Sequence, residues 1–196
     1  MKLYYAPAAC SLADHIALNE AGLSFDRVKV DLRTKRTEDG SDYTQINPKG
    51  YVPALVLDDG EMLTENVAIL DWITERCPAL APAGALGRTR QLEMLAFISS
   101  ELHKQFSRAF APSGDAEKAA AFQRIEQRLA YLAGALQGDY LFGERMTAAD
   151  AYLYVVLRWA GMMGRTLPAP LAAFQARVEA RPAVRRALEE EGLKAG

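Results

Sequence analysis

The sequence predicts a small α/β domain with a mixed sheet, followed by an all-helical half. Three observations carry that prediction. Apolar and charged residues alternate only near the N-terminus, at Val28, Val30 and Leu32, as in a half-buried strand. Turn signals punctuate the same region at Asn47-Pro48-Lys49-Gly50 and Asp58-Asp59-Gly60. Beyond a stretch bearing Pro78, Pro82 and Gly84, apolar residues recur at helical spacing, as Phe122, Ile125, Leu129, Leu132 and Leu136 do.

Each element follows in order. Leu3-Tyr4-Tyr5 is a short strand, and a Pro/Ala loop leads out of it. Ser11 is placed to cap a helix whose Leu12, Ile16 and Ala17 share one face, with Gly22 as the stop. The Val28–Leu32 strand is followed by a polar loop. After Pro53, Ala54–Leu57 and Glu61–Leu63 form a hairpin around Asp58-Asp59-Gly60. Thr64-Glu65-Asn66 then opens a helix to about Arg76. The order is βαβ then ββα, which suits a small sheet with helices packed on it. This places an α/β domain at 1–77, a linker at 78–86 and a helical domain at 87–196. In the latter, Thr147-Ala-Ala-Asp150 is a capping box with Met146 as its staple. Gly164 and Pro168-Ala-Pro170 precede two shorter helices centred on Phe174 and Leu188.

Composition narrows the function. A net charge of −2 gives no reason to expect nucleic acid or an anionic membrane as partner. Asp14 interrupts the first apolar stretch, so no secretory signal is expected, and no segment has the length to span a bilayer. Cys10 and Cys77 cannot make a disulfide framework, which points to a reduced, cytoplasmic setting. With His15 and His103 equally scattered, no metal site is expected.

Three places have the residues for chemistry. Cys10 lies between a strand and a helix N-terminus, where unpaired N–H groups and the helix dipole favour an anion and lower a thiol pKa. A small buried residue filling a loop is the competing reading, and position alone does not separate the two. Val52-Pro53 precedes a strand where a cis bond would turn the Val52 backbone outward for an extended peptide. An entry proline of no further consequence is the plainer reading. Glu65-Asn66 begins a helix and is either a pair of caps or an amino-acid anchor, with N–H groups and Asn66 on a carboxylate and Glu65 on an ammonium.

In this order, Cys10-Ser11, Val52-Pro53 and Glu65-Asn66 before an all-helical half resemble the glutathione transferases. The opening Lys-Leu-Tyr-Tyr-x-Pro-x-x-Cys-Ser and the Ser-Glu-Leu-His-Lys at 100–104 are most similar to the bacterial beta class. The resemblance implies a thioredoxin-like domain, a helical domain and a homodimer, with glutathione as co-substrate rather than a permanently bound cofactor. It further implies that Cys10 lies beside the glutathione sulfur, that Val52 and Pro53 meet its cysteinyl part and that Glu65 and Asn66 hold its γ-glutamyl end. Lys35 matches a contact to the glycyl carboxylate, His103 and Lys104 the family's His-Lys pair, and Ser100 a residue reaching the neighbouring subunit's glutathione. Asn66 departs from the more frequent Ser, and Ala96 from an Asn that makes an inter-subunit contact.

The expected catalytic set is Cys10, Ser11 and His103, with Tyr5 in reserve and Trp159 lining the substrate cleft. A lone His on a helix is more often a satisfied structural residue, and a helical Trp beside Val155 and Val156 is usually core. Lowering a thiol pKa by two units takes about 2.7 kcal/mol, which helix dipoles, the Ser11 hydroxyl and His103 would share. The resulting expectation is a transferase that joins the glutathione thiolate to a small hydrophobic electrophile. One alternative is a glutathione-dependent thiol-disulfide reductase or peroxidase working through Cys10. Another is a non-catalytic glutathione-binding or regulatory scaffold.

Overall fold

The computed structural model describes residues 1–111 and 114–194. Strand β1 (Lys2–Tyr5) leads to α1 (Ser11–Glu20), β2 (Asp26–Asp31), β3 (Arg36–Thr37), β4 (Ala54–Val56), β5 (Met62–Thr64) and α2 (Asn66–Arg76). The sheet order is β3-β2-β1-β4-β5, with β1 parallel to β2 and the other pairs antiparallel. β3 is the element that the sequence left within a loop. It is too short to show a period. It exists because Asp31 Oδ1 accepts from the Arg33 and Thr34 amides, at 2.8 and 3.2 Å, and so reverses the chain.

β1 is central and buries both faces, in the two-residue period of a strand. Leu3 and Tyr5 join the main core under the helices, whereas Tyr4 packs with Val30, Tyr43 and Ala54 on the opposite face. The whole of α1 from Ser11 to Leu18 is buried, because α2 and two later helices close around it. That placement puts Asp14 and His15 inside the protein.

The helical part comprises α3 (Gly87–Phe97), a π-helical turn (Ile98–His103), α4 (Lys104–Phe110), α5 (Asp115–Ala135), α6 (Ala148–Met162), α7 (Ala169–Glu179) and α8 (Pro182–Glu190). Of the predicted α5 stripe, Ile125, Leu129 and Leu132 are buried, and Phe122 and Leu136 half-buried. The segment from 78 to 86 is a tight connection with a 3-10 turn at Pro78–Leu80, and Gly87 begins α3 where any Cβ would collide with the Pro82 carbonyl. The capping box at α6 is complete. Phe174 and Leu188 are buried on α7 and α8 as expected. Helix α8 returns to α1, where Arg181 grips Glu20 with two bonds of 2.6 and 2.8 Å. Among the described residues, no helix is long and apolar enough to cross a membrane.

Candidate functional site

The loop between β1 and α1, the turn before β4, the start of α2 and the π-helical turn converge on one cleft. Val52-Pro53 is a cis peptide bond, and the Cys10 Sγ donates to the Val52 carbonyl at 3.5 Å. Two cavities meet here. A groove of about 100 Å³ is lined by Cys10, Tyr51, Val52, Pro53, Glu65 and Asn66, with Val67, Ser99, His103 and Tyr152 completing it. A wider cleft of about 440 Å³ shares Cys10, Tyr51, Val52 and His103 and adds Leu32, Phe110, Trp159 and Met162. The first is lined by polar groups that can fix an amino-acid backbone, the second by aromatic and aliphatic walls.

Cys10 occupies the N-cap position of α1, so Ser11 does not cap the helix as the sequence suggested. Ser11 is fully buried, and its hydroxyl accepts from the Ala6 amide (3.2 Å) and donates to the Ala6 carbonyl (3.4 Å). It braces the loop and lines neither cavity. The expected lowering of the Cys10 pKa is also overturned. Burial, then the nearby Asp14 carboxyl, pushes the thiol up to about 12, against the smaller opposing effect of backbone N–H groups at the helix start. Tyr5 is turned into the core with its ring 6.1 Å from His15, outside the cleft.

Glu65 sits at the N-cap of α2 with φ of 72° and makes no side-chain cap bond. Its Oε1 accepts from Lys49 Nζ and from the Tyr51 hydroxyl, both at 2.7 Å. Lys49, then Tyr51, holds the carboxyl below its ordinary pKa. Asn66 is buried and is no cap either: its Nδ2 donates to the Cys10 carbonyl (2.8 Å) and to Asp14 Oδ2 (3.1 Å), tying the starts of α1 and α2 together. Burial keeps the Asp14 carboxyl well above its ordinary pKa. Lys35 has φ of 56° and bonds the Gly50 carbonyl at 2.7 Å, beside the groove rather than in it.

The π-helical turn decides which serine stands beside His103. Its wider winding brings residues i and i+4 over each other and swings i+3 away. Ser99 therefore joins His103 at the groove, while Ser100 is exposed and donates to the Ala96 carbonyl at 2.9 Å. Lys104 is likewise exposed and lines neither cavity. His103 Nδ1 lies 2.6 Å from the Tyr152 hydroxyl, which Ser99 also bonds. Burial pushes the His103 pKa down and the Tyr152 pKa up, so both are neutral at physiological pH. A Tyr152 hydroxyl donating to Nδ1 leaves Nε2 to carry the ring proton. Tyr152 and Ser99 were missed by the sequence reading. A tyrosine among apolar residues of a buried helix carries no signal of its partner from another helix.

Trp159 lines the cleft as expected. Its ring stands 4.8 Å from that of His103, and its Nε1 donates to the Ala8 carbonyl at 2.8 Å. The Ala8 amide in turn donates to Glu191 Oε2 (3.1 Å), while Glu191 Oε1 and Glu190 Oε2 take the two His15 nitrogens at 3.0 and 2.7 Å. The loop that floors the cleft thus hangs on the end of α8. Glu191→Ala strips the Ala8 amide and His15 of a buried acceptor and is expected to cost about 2 kcal/mol. Urea unfolding checks this, and a cost under 0.5 kcal/mol on that scale rules the tether out.

Similarity to known proteins agrees with this architecture. The family model described as glutathione S-transferase, N-terminal domain matches residues 9–76, and that for the C-terminal domain matches residues 91–186. Glutathione S-transferase GstA of Escherichia coli O157:H7 is 46% identical, over 99% of this chain and 100% of that protein. The structure of BphK, a bacterial transferase in a ternary complex, superposes with a TM-score of 0.94 at 49% identity, covering 98% of this chain and 100% of that one. A sphingomonad glutathione S-transferase complexed with glutathione gives a TM-score of 0.92 at 49% identity, over 99% and 100% of the two chains. The chain belongs to the glutathione S-transferase family.

Proposed function

We propose that this protein binds glutathione in the narrow groove and presents its thiolate to a small apolar electrophile lying in the wider cleft. The observation that carries the reading is the meeting of the two cavities at Cys10, Val52 and His103. A tripeptide whose cysteinyl backbone lies along Val52 and Pro53 has its sulfur at that junction. Its γ-glutamyl end reaches Glu65 and the unpaired N–H groups that start α2, and its glycyl end extends towards Lys35. Cys10, held neutral, acts as a weak S–H donor to the glutathione sulfur rather than as the attacking group. The Nε2–H of His103 is the second donor. Ser11 supports both only through the Ala6 loop.

The boundary between the two functional parts lies within 78–86, so that 1–77 holds glutathione and 87–196 supplies the electrophile's wall. Ser100 and Lys104, exposed on one chain, fit a role across a homodimer interface. A cytoplasmic detoxifying enzyme is the setting that suits this chemistry. A second reading is favoured by Cys10 lining both cavities, where its thiol can exchange with a glutathione mixed disulfide.

Retention on immobilised glutathione, followed by a panel of aromatic halides, epoxides, peroxides and mixed disulfides, tests the proposal. Cys10→Ala and Cys10→Ser are expected to keep conjugation within roughly threefold, the scale of one weak neutral hydrogen bond, and to lose mixed-disulfide exchange. Absence of glutathione binding sinks both readings, and loss of conjugation in both variants makes the Cys10 thiol essential to activating the glutathione sulfur rather than a weak donor to it.

A further inference from the structure

Tyr51 has an unusual double position. Its backbone is fixed: the carbonyl accepts from the Tyr43 hydroxyl (3.0 Å) and from Asn47 Nδ2 (2.8 Å), and both of those side chains are buried. Its side chain, by contrast, is 42% exposed and stands where the two cavities adjoin, lining both. The hydroxyl at its tip is bonded to Glu65 Oε1. Lys49 Nζ approaches the same oxygen and lies 5.9 Å from the Tyr51 ring centroid. Both donors use Oε1, and no described residue donates to Oε2. A carboxylate has about four lone-pair sites, so the second oxygen is available to a ligand ammonium while the first is pinned.

We propose that Tyr51 is a positioning and specificity residue that serves both ligands, its phenol turning Glu65 Oε2 towards the ligand's α-ammonium and its ring walling the electrophile cleft. This rests on the glutathione reading above. Two consequences separate the halves of the side chain. The hydroxyl orders a carboxylate that, on an exposed side chain, would otherwise sample several rotamers, so it improves binding of ligands with an α-amino group and of no others. The ring sets the width of the cleft opposite Phe110, Trp159 and Met162, and so it acts on the electrophile whether or not the hydroxyl is present.

The test compares glutathione with glutaryl-Cys-Gly, which differs from it by lacking the α-amino group, as ligands of wild type, Tyr51→Phe and Tyr51→Ala. Tyr51→Phe is expected to raise the Kd for glutathione about five- to tenfold, the range of a charge-assisted hydrogen bond at a partly exposed site. It should leave the Kd for glutaryl-Cys-Gly and the KM for the electrophile unchanged. Tyr51→Ala is expected to show the same glutathione loss and, in addition, a raised electrophile KM with kcat retained at saturation. Equal losses for both thiols in Tyr51→Phe, or no loss for either, overturn the role given to the hydroxyl. An unchanged electrophile KM in Tyr51→Ala overturns the role given to the ring. If wild type binds neither thiol, or binds both equally, the glutathione reading itself has failed at the γ-glutamyl end, and the proposal falls with it.

Discussion

Asp150→Ala lowers the unfolding free energy by about 3–5 kcal/mol, the range for opening a buried, fully hydrogen-bonded carboxylate site. Asp150 is completely buried and accepts from three donors: the Leu141 amide at 2.8 Å, the Thr147 amide at 2.7 Å and the Thr147 hydroxyl at 2.6 Å. The Thr147 amide bond is one half of the capping box of α6, the Thr147 hydroxyl bonds the same oxygen, and the Leu141 amide ties the turn before the helix to it. Alanine leaves all three donors in a water-free interior at the start of the helix that carries Tyr152 and Trp159. The effect also has a pH signature. Burial raises the Asp150 carboxyl to about 6, above its ordinary value, so the folded chain binds the proton where the unfolded chain has released it. The contribution of Asp150 is therefore full below about pH 4, the unfolded value, and declines as pH rises through about 6. The cost of Asp150→Ala should be larger at pH 4 than at pH 7. Chemical denaturation at both values measures it; a loss under 1 kcal/mol, on the scale of an ordinary surface substitution, or the opposite pH trend, contradicts the account.

The second large effect concerns Cys10 in the ligand-free protein. With its thiol at about 12, the thiolate fraction at pH 8 is on the order of 10⁻⁴, against roughly a quarter for an ordinary cysteine of pKa about 8.5. The rarer thiolate is intrinsically more nucleophilic, which recovers a factor of about 40 with a Brønsted slope near 0.45. Alkylation by iodoacetamide is then expected to run about 10²-fold slower than for free cysteine, with the rate rising throughout pH 7–10. Mass spectrometry of the peptide containing Cys10 reads this out. Labelling as fast as free cysteine at pH 7 would show that the helix N-terminus governs the thiol after all. A slow Cys10 agrees with the proposal that glutathione brings its own nucleophile.

The sequence was explicit about much of this protein. The alternation at Val28, Val30 and Leu32, the turn at Asp58-Asp59-Gly60 and the stripe from Phe122 to Leu136 are local patterns with fixed periods, and each became the expected element. The Thr147–Asp150 capping box was legible for the same reason: its partners lie within one helical turn. Cys10, Val52, Pro53, Glu65, Asn66, His103 and Trp159 were all found in the sequence, and the fold brings them to one cleft.

What the tertiary structure decided lies in distances across the chain. Asp14 stands one helical turn from Cys10, but nothing in the sequence announces that both are buried: α1 is enclosed by helices from the other end of the chain, and that enclosure reverses the expected direction of the thiol's pKa. Ser11 and Tyr5 have the right chemistry, yet the β1–α1 loop and the pleat of β1 turn them inward. One π-helical turn brings Ser99 beside His103 at the groove, a change of winding that hydrophobic periodicity does not register. Local spacing fixes which residues share a face. Only the packing of faces against each other sets which side chains lose water, and that loss governs the charge and the partners of every group in this cleft.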